Sequence, residues 1–177
     1  MANGANKIIE RVVNAAVFNE AGKFLGIASI DLPQIQAMAD TVSGAGIAGE
    51  VESPVLGHFQ AMTTTFHWRS IEPDAVALCE QRAHQVDCRA SQQVTETSTG
   101  EITTMPVRAT MKVIPKSFNM GSLQPGAATD SEQEFEVIYI KLFVDGDEVL
   151  EIDKYNFVCR INGNDLLASV RSDLGLN

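Results

Sequence analysis

Val144-Asp145-Gly146-Asp147-Glu148-Val149-Leu150-Glu151-Ile152-Asp153, then Arg160-Ile161-Asn162-Gly163, then the segment from Asp165 to Leu176, close the chain. This stretch reads as strand, Asp-Gly turn, strand, Asn-Gly turn and a short amphipathic terminal segment. Both dipeptides accept positive φ, so the strands that flank Asp145-Gly146 should fold back as a hairpin, and the chain should turn sharply again at Asn162-Gly163. The run just before it, Glu134 to Val144, is the clearest strand of the sequence. Phe135, Val137, Tyr139 and Phe143 share one face with Lys141, while Glu134 and Glu136 run into Ile138, Ile140 and Leu142 on the other. A strand apolar on both faces over its later half must be covered on both sides, within the subunit or by another one.

Working outward, the rest of the chain keeps the same habit. Val13 to Phe18 and Phe24 to Ile30 read as a hairpin around Asn19-Glu20-Ala21-Gly22-Lys23. Ile35 to Ala39 suggests a short third strand after Pro33, and residues 41–57 a long loop of Gly and small residues. Phe59 to Trp68 alternates in period two. Pro73-Asp74 begins the one clear helix, with Pro at a first helical position and Glu72 and Asp74 at the positive end of the dipole; its stripe of Val76, Ala77, Cys79 and Ala83 should fade by His84. Val86 to Thr97 and Ile102 to Ile114 are long strands joined at Ser98-Thr99-Gly100-Glu101. The first carries Asp87, Arg89, Ser91, Gln93 and Thr95 at alternate positions, as suits a sheet wet on one side. Residues 115–130 form a second loop. No repeat and no linker divides residues 1–177, so the expectation is one domain. Its class is mainly β (α+β), an antiparallel sandwich or barrel with one flanking helix.

The 177 residues include 23 acids and 13 lysines and arginines, a net charge of −10. A chain of this size buries roughly 70% of its unfolded surface. It has no basic cluster to neutralise phosphates, which argues against nucleic-acid binding. No apolar run is long enough for a membrane span, and the first residues show no secretory pattern, so cytoplasmic synthesis is expected. Cys79, Cys88 and Cys159 are widely spaced without a C-x-x-C pair, which speaks against a disulfide framework and a zinc site.

Catalytic motifs are absent by the same reading. Gly44 to Gly49 spells G-x-G-x-x-G, but Glu50-Val51-Glu52-Ser53-Pro54 follows with no helical pattern, and Trp68-Arg69 stand where a ribose-binding acid belongs. A small-residue loop is the better reading. His58, His67 and His84 lack ligand spacing, no G-x-S-x-G elbow is present, and the strand aromatics lack the basic neighbours of a base-stacking surface. No catalytic residue, cofactor or metal is expected.

Two ordered blocks resemble a known family. Asp31-Leu32-Pro33, the glycine-rich Gly44 to Gly49 and Leu56-Gly57 make the early block. Phe143-Val144-Asp145-Gly146 through Glu151-Ile152-Asp153, then Ile161-Asn162-Gly163 to Asp173-Leu174-Gly175-Leu176, make the late one. Together they are similar to the major tail tube protein of contractile-tailed phages and related phage-tail-like bacteriocins. The stretch from Val86 to Asp130 matches more in length and strand character than in residues. The resemblance implies a hexameric ring whose strands complete an inter-subunit β-barrel, and rings stacked into a hollow tube inside a contractile sheath. It also implies assembly in a bacterial cytoplasm, a place in the mature virion tail or bacteriocin particle, and contacts with sheath, tape-measure, baseplate and tail-terminator proteins. No membrane partner is expected. Residues 41–57 and 115–130 would meet neighbouring subunits or rings, with Gly44, Gly46, Ile47, Gly49 and Val51 as inter-ring candidates. An acidic lumen, with Glu96, Glu101, Glu132, Glu134 and Glu136 as candidates, would let DNA pass without being held. The alternatives are the tube of a DNA-free injection device, or a small-ligand-binding β-barrel using the Gly44–Gly49 loop.

Overall fold

The structure, a computed structural model, describes residues 6–44 and 46–176. Eleven strands follow one another: β1 (Lys7–Asn19), β2 (Phe24–Asp31), β3 (Ala37–Ser43), β4 (Glu50–Phe59), β5 (Thr63–Trp68), β6 (His84–Glu96), β7 (Ile102–Asn119), β8 (Ser131–Val144), β9 (Asp147–Asp153), β10 (Val158–Ile161) and β11 (Asn164–Asp165). Two short helices, α1 (Pro73–Val76) and α2 (Ala168–Asp173), flank them. The helix begins at Pro73 as expected, yet it gives way to a 3₁₀ turn over Ala77–Cys79 instead of running on towards His84. No side chain caps its N-terminus, and four residues are too few to sustain a helix without packing. The amphipathic end of the chain supplies the second helix.

All pairings are antiparallel. One nine-stranded sheet runs β11-β10-β9-β8-β5-β2-β1-β6-β7, and a further β7–β8 pairing brings β7 round to β8. Six strands, β1-β2-β5-β8-β7-β6, therefore form a closed barrel, and β9, β10 and β11 extend the sheet outward from the upper half of β8. A closed circuit removes most free edges from the subunit itself.

The interior explains the closure. Val17, Leu25, Met62, Phe66, Trp68, Val86, Met111, Val113, Phe135, Val137 and Ile140 are buried inside. Trp68 Nε1 donates to Gln133 Oε1 at 2.8 Å, and Gln133 Nε2 donates to the Ala75 carbonyl at 3.0 Å, which ties α1 to the sheet. Buried polar groups thus find partners inside an otherwise apolar core.

β8 shows why its sequence looks apolar on both faces. Val113 and Lys112 are adjacent in β7 but face Val137 and Tyr139 in β8, leaving Ile138 as an extra residue. This bulge exchanges the two faces of the strand. Phe135 and Val137 point into the core below it, and Ile140 does so above it. Tyr139, Lys141 and Phe143 are thereby released to the outer surface. A second irregularity at Pro115/Ser117 lets β7 run to Asn119, so the loop expected over residues 115–130 begins only at Met120. Proline is tolerated in a strand at such a point.

The larger departure is at residues 41–57. They are not a loop: β3 and β4 pair as a separate two-stranded hairpin, with Val42 opposite Val51 and Asp40 opposite Ser53. Its tip, around Gly44, Gly46 and Gly49, uses positive φ. The sequence conceals it because neither face is buried in the subunit, so no apolar-in, polar-out alternation develops. Likewise β1 starts at Lys7, ahead of the expected Val13, with Ile8, Ile9 and Val12 exposed.

At the β8–β9 turn, Asp145 and Gly146 have φ of 53° and 89°. Gly146→Val should cost about 1–3 kcal/mol, since a β-branched residue resists left-handed backbone. A denaturant midpoint unchanged from wild type would refute this.

Candidate functional site

Two surface features stand out: a charged sheet face and a set of unpartnered apolar margins. The register of β1, β6, β7, β8, β9, β10 and β11 lines up one cross-strand row on the outer face, Phe18, Asp87, Thr110, Lys141, Glu151, Arg160 and Asp165. Beside it lie Ala16, Arg89, Arg108, Phe143 and Glu148 on one flank and Gln85, Lys112, Tyr139 and Asp153 on the other. Directly opposed residues of this kind are the closest side-chain neighbours in a sheet.

The carboxylates in this row are held deep and the cations lie over them. Asp87, buried, takes Arg89 at 2.6 Å, Arg108 Nε and the Thr110 hydroxyl at 2.9 Å. Burial pushes its carboxyl up, but the hydrogen bonds from Arg108, Arg89 and Thr110 outweigh this and hold it below its ordinary value. Glu151, also buried, meets Lys141 at 3.1 Å, Arg160 at 2.7 Å and the Tyr139 hydroxyl at 3.1 Å. Lys141 also reaches Glu148 at 3.1 Å. Asp165 takes Arg171 at 2.6 Å, and that hydrogen bond, against a smaller effect of desolvation, lowers its pKa. Aromatic rings also hold cations of this face: Arg89 lies 4.4 Å from the Phe18 ring centroid, Arg108 5.8 Å from Phe143, and Lys112, which has no carboxylate partner among the described residues, 5.6 Å from Tyr139.

A pH dependence follows from these lowered carboxyls. A group whose folded pKa lies below its unfolded value stabilises the fold above that unfolded value, near 3.8 for Asp. The contribution is lost as pH falls through the folded value. Thermal melts should therefore drop more steeply in wild type than in Asp87→Asn between about pH 5 and about pH 3. Parallel curves would remove Asp87 from acid sensitivity.

The margins are the second feature. Residues 7–15 of β1 pair with β6 alone, and Ile102–Met105 of β7 pair with β6 alone, so the three strands extend beyond the barrel as a ribbon. Ile8, Ile9, Val12 and Val13 are 52–61% exposed there and Ile102 64%. Between this ribbon and β2/β5 runs an open groove of about 780 Å³, lined by Val12, Ala15, Ile27, Ile30, Ala90 and Val107 among others. The hairpin arm exposes Met38, Val42, Ile47, Val51, Val55 and Leu56. Apolar exposure on this scale marks interaction surfaces.

The residues singled out from sequence fall in separate places. Gly44, Gly46, Ile47, Gly49 and Val51 all belong to the arm, with open space around the three glycines. That G-x-G-x-x-G is a hairpin tip with no helix after it, so it lacks the geometry that holds a pyrophosphate. Glu96 and Glu101 sit together at the end of the ribbon, where the Glu96 amide donates to the Glu101 carbonyl at 2.9 Å. Glu132, Glu134 and Glu136 are on the barrel's outer wall beside β5, further along β8 from the Asp87 row. Glu136 pairs with Lys154 at 3.0 Å, Glu134 with Lys116, and Glu132 approaches His67 at 3.9 Å. Sequence reasoning did not single out Asp87 and Glu151 as paired groups. The alternation over 87–95 marked the wet face, but cross-strand partners depend on register. Among the described residues no group of three or more His, Cys, Asp and Glu could hold a metal, and Cys88 and Cys159 are buried free thiols, the first pushed up to about 12 by burial.

The fold is thus a closed antiparallel barrel with an extended polar sheet face, apolar margins and a projecting hairpin. The comparisons with known proteins bear on it directly. The sequence matches the phage tail tube protein FII family over residues 9–175, and the chain belongs to that family. It is 29% identical over 165 residues to the tail tube protein of Escherichia phage P2, covering 90% of this chain and 94% of that one. Its fold is similar to a chain from the sheath/tube terminator of the PVC extracellular contractile injection system. There the TM-score is 0.52 at 12% identity, over 77% of this chain and 97% of the other. The protein is thus a structural tail tube subunit of a phage tail or related contractile particle.

Proposed function

We propose that this subunit closes into a hexameric ring, that rings stack into a hollow tube within a contractile sheath, and that the Asp87–Glu151 face lines its bore. The observation that carries the reading is the ribbon of β1, β6 and β7, which leaves the barrel with free edges and bare aliphatic side chains. A neighbour's strand added at such an edge extends the sheet and covers the groove beneath. The β3–β4 arm reaches the adjacent ring with Ile47 and Val51, because a lone two-stranded hairpin is marginal in water until something packs on it. Residues 120–130 supply a further contact. DNA is the cargo in transit. Sheath, tape-measure, baseplate and terminator proteins are the partners, and assembly takes place in the bacterial cytoplasm.

On this reading the bore's sheet wall is charge-paired. Its acid excess sits towards the rim, at Glu96 and Glu101, and Glu132, Glu134 and Glu136 continue the same outer surface along β8, with Glu134 and Glu136 paired to Lys116 and Lys154. Negative-stain electron microscopy of the purified protein at rising concentration tests the proposal. Hollow rings or tubes are expected, and monomers that persist even when a purified baseplate is added as a seed would overturn it.

A further inference from the structure

We propose that Asp87 and Glu151 are charge clamps: each pins two cations against the sheet, so that a wall rich in arginine and lysine does not hold passing DNA. The inference rests on the reading that this face lines the conduit. Five cations, Arg89, Arg108, Lys112, Lys141 and Arg160, stand on the face across β6 to β10. Unpaired, five cations per subunit, repeated around a ring, would make an adhesive surface for a polyanion, each phosphate contact releasing counterions. None of the five is left alone. Arg89 and Arg108 share Asp87, Lys141 and Arg160 share Glu151, and Lys112 lies over the Tyr139 ring.

The arrangement is asymmetric in a telling way. The carboxylates are the buried partners, with side chains 9% and 10% exposed, whereas Arg89, Arg108 and Arg160 are 42–50% exposed. An ordinary surface ion pair leaves both partners wet and contributes little. Here the acid is fixed beneath, hydrogen-bonded to Thr110 in one case and Tyr139 in the other. Phe18 and Phe143 hold the flat guanidinium groups from the side. A guanidinium spent on a buried carboxylate and an aromatic ring has fewer donors free for the bidentate phosphate geometry that it favours. The clamps thus turn potential phosphate anchors into a smooth wall, without the wall having to be acidic. Glu10, which accepts from Thr95 at 2.6 Å and Gln93 at 2.7 Å, continues the same face towards the ribbon's end.

The test compares Asp87→Asn with Asp147→Asn, which removes the same charge from an exposed turn-side residue. Binding of fluorescently labelled double-stranded DNA is read by anisotropy at about 10 mM salt, where the Debye length is about 30 Å. Asp87→Asn should bind at least about tenfold more tightly than wild type or Asp147→Asn, with a log–log salt slope near −2 as two arginines reach phosphates. Adding Arg89→Gln and Arg108→Gln to Asp87→Asn should abolish the gain. Glu151→Gln combined with Glu148→Gln, which takes both carboxylates from Lys141 and leaves Arg160 only its longer contact to Asp165 at 3.5 Å, repeats the experiment independently should Asp87→Asn fail to fold. A folded Asp87→Asn no stickier than Asp147→Asn, or a gain that survives loss of both arginines, overturns the proposal. Particle formation is scored separately by microscopy, so a gain in DNA binding without rings would retain the clamps and reject the conduit.

Discussion

Trp68→Ala is expected to lower stability by about 4 kcal/mol, within the range for an aromatic truncated in a packed core. The ring is 2% exposed, edge-on to Phe66 at 5.9 Å, and Phe66 in turn lies 5.1 Å from Phe135. Removing it opens a cavity among rings that cannot collapse into the space, because three strands and Gly26 fix the surroundings. Gly26 belongs to the same packing unit, since a Cβ there would lie 2.9 Å from the indole. The truncation also leaves the Gln133 carbonyl oxygen without its donor, and Gln133 is what fastens α1 to the barrel. An unmet buried acceptor adds about 1–3 kcal/mol. Guanidinium chloride unfolding followed by circular dichroism measures the loss. A change below about 1 kcal/mol would mean that the core repacks freely, which is unusual for an interior of this density.

Replacing Ile9 and Val12 together by Lys should have the opposite signature, with the subunit intact and its assembly abolished. Both side chains are more than half exposed in the isolated chain, so the exchange should leave its stability within about 0.5 kcal/mol. In a ring they would be covered by the neighbour, and each uncompensated ammonium would carry a desolvation cost of several kcal/mol. Repeated at every interface of a closed ring, that cost leaves no stable particle. Sedimentation velocity reads the oligomeric state and thermal melting reads the fold. Normal rings from the double variant would show that the β1 margin stays in water and would shift attention to the arm.

What could be read from the sequence was governed by where burial occurs within one subunit. The turns at Asp145-Gly146 and Asn162-Gly163, the long pair β6 and β7 and the strand β8 all announce themselves, since their patterning answers to a core in the same chain. The arm does not, because Val42, Val51 and Val55 face nothing in the subunit that would impose a period. Nor does the bulge at Ile138, which turns a strand that looks apolar on both faces into one whose inner face changes side halfway along. The carboxylate pairs were out of reach for a third reason. Asp87 and Arg108, or Glu151 and Arg160, become neighbours only through strand register, and shifts at Lys112/Val113 and Leu142/Phe143 in the two ladders of β8 displace the row that joins them. Acids that are conspicuous by clustering, Glu132 to Glu136, pair with a different set of cations, Glu134 with Lys116 and Glu136 with Lys154.

The pairing of β1 with β6 carries a consequence for the order in which the chain folds. Lys7 lies opposite Glu96, so this ladder joins segments separated by half the sequence, whereas β6–β7, β7–β8 and β8–β9 are successive hairpins. Loop closure penalises distant pairings, so the local hairpins are expected to form the nucleus and β1 to dock late. The strand proposed to offer its free margin to a neighbour would then be the last to settle. If rings form as proposed, a partly folded chain would not template polymerisation from that margin, and pulse-labelled hydrogen exchange should find the amides of β1 protected after those of β7 and β8.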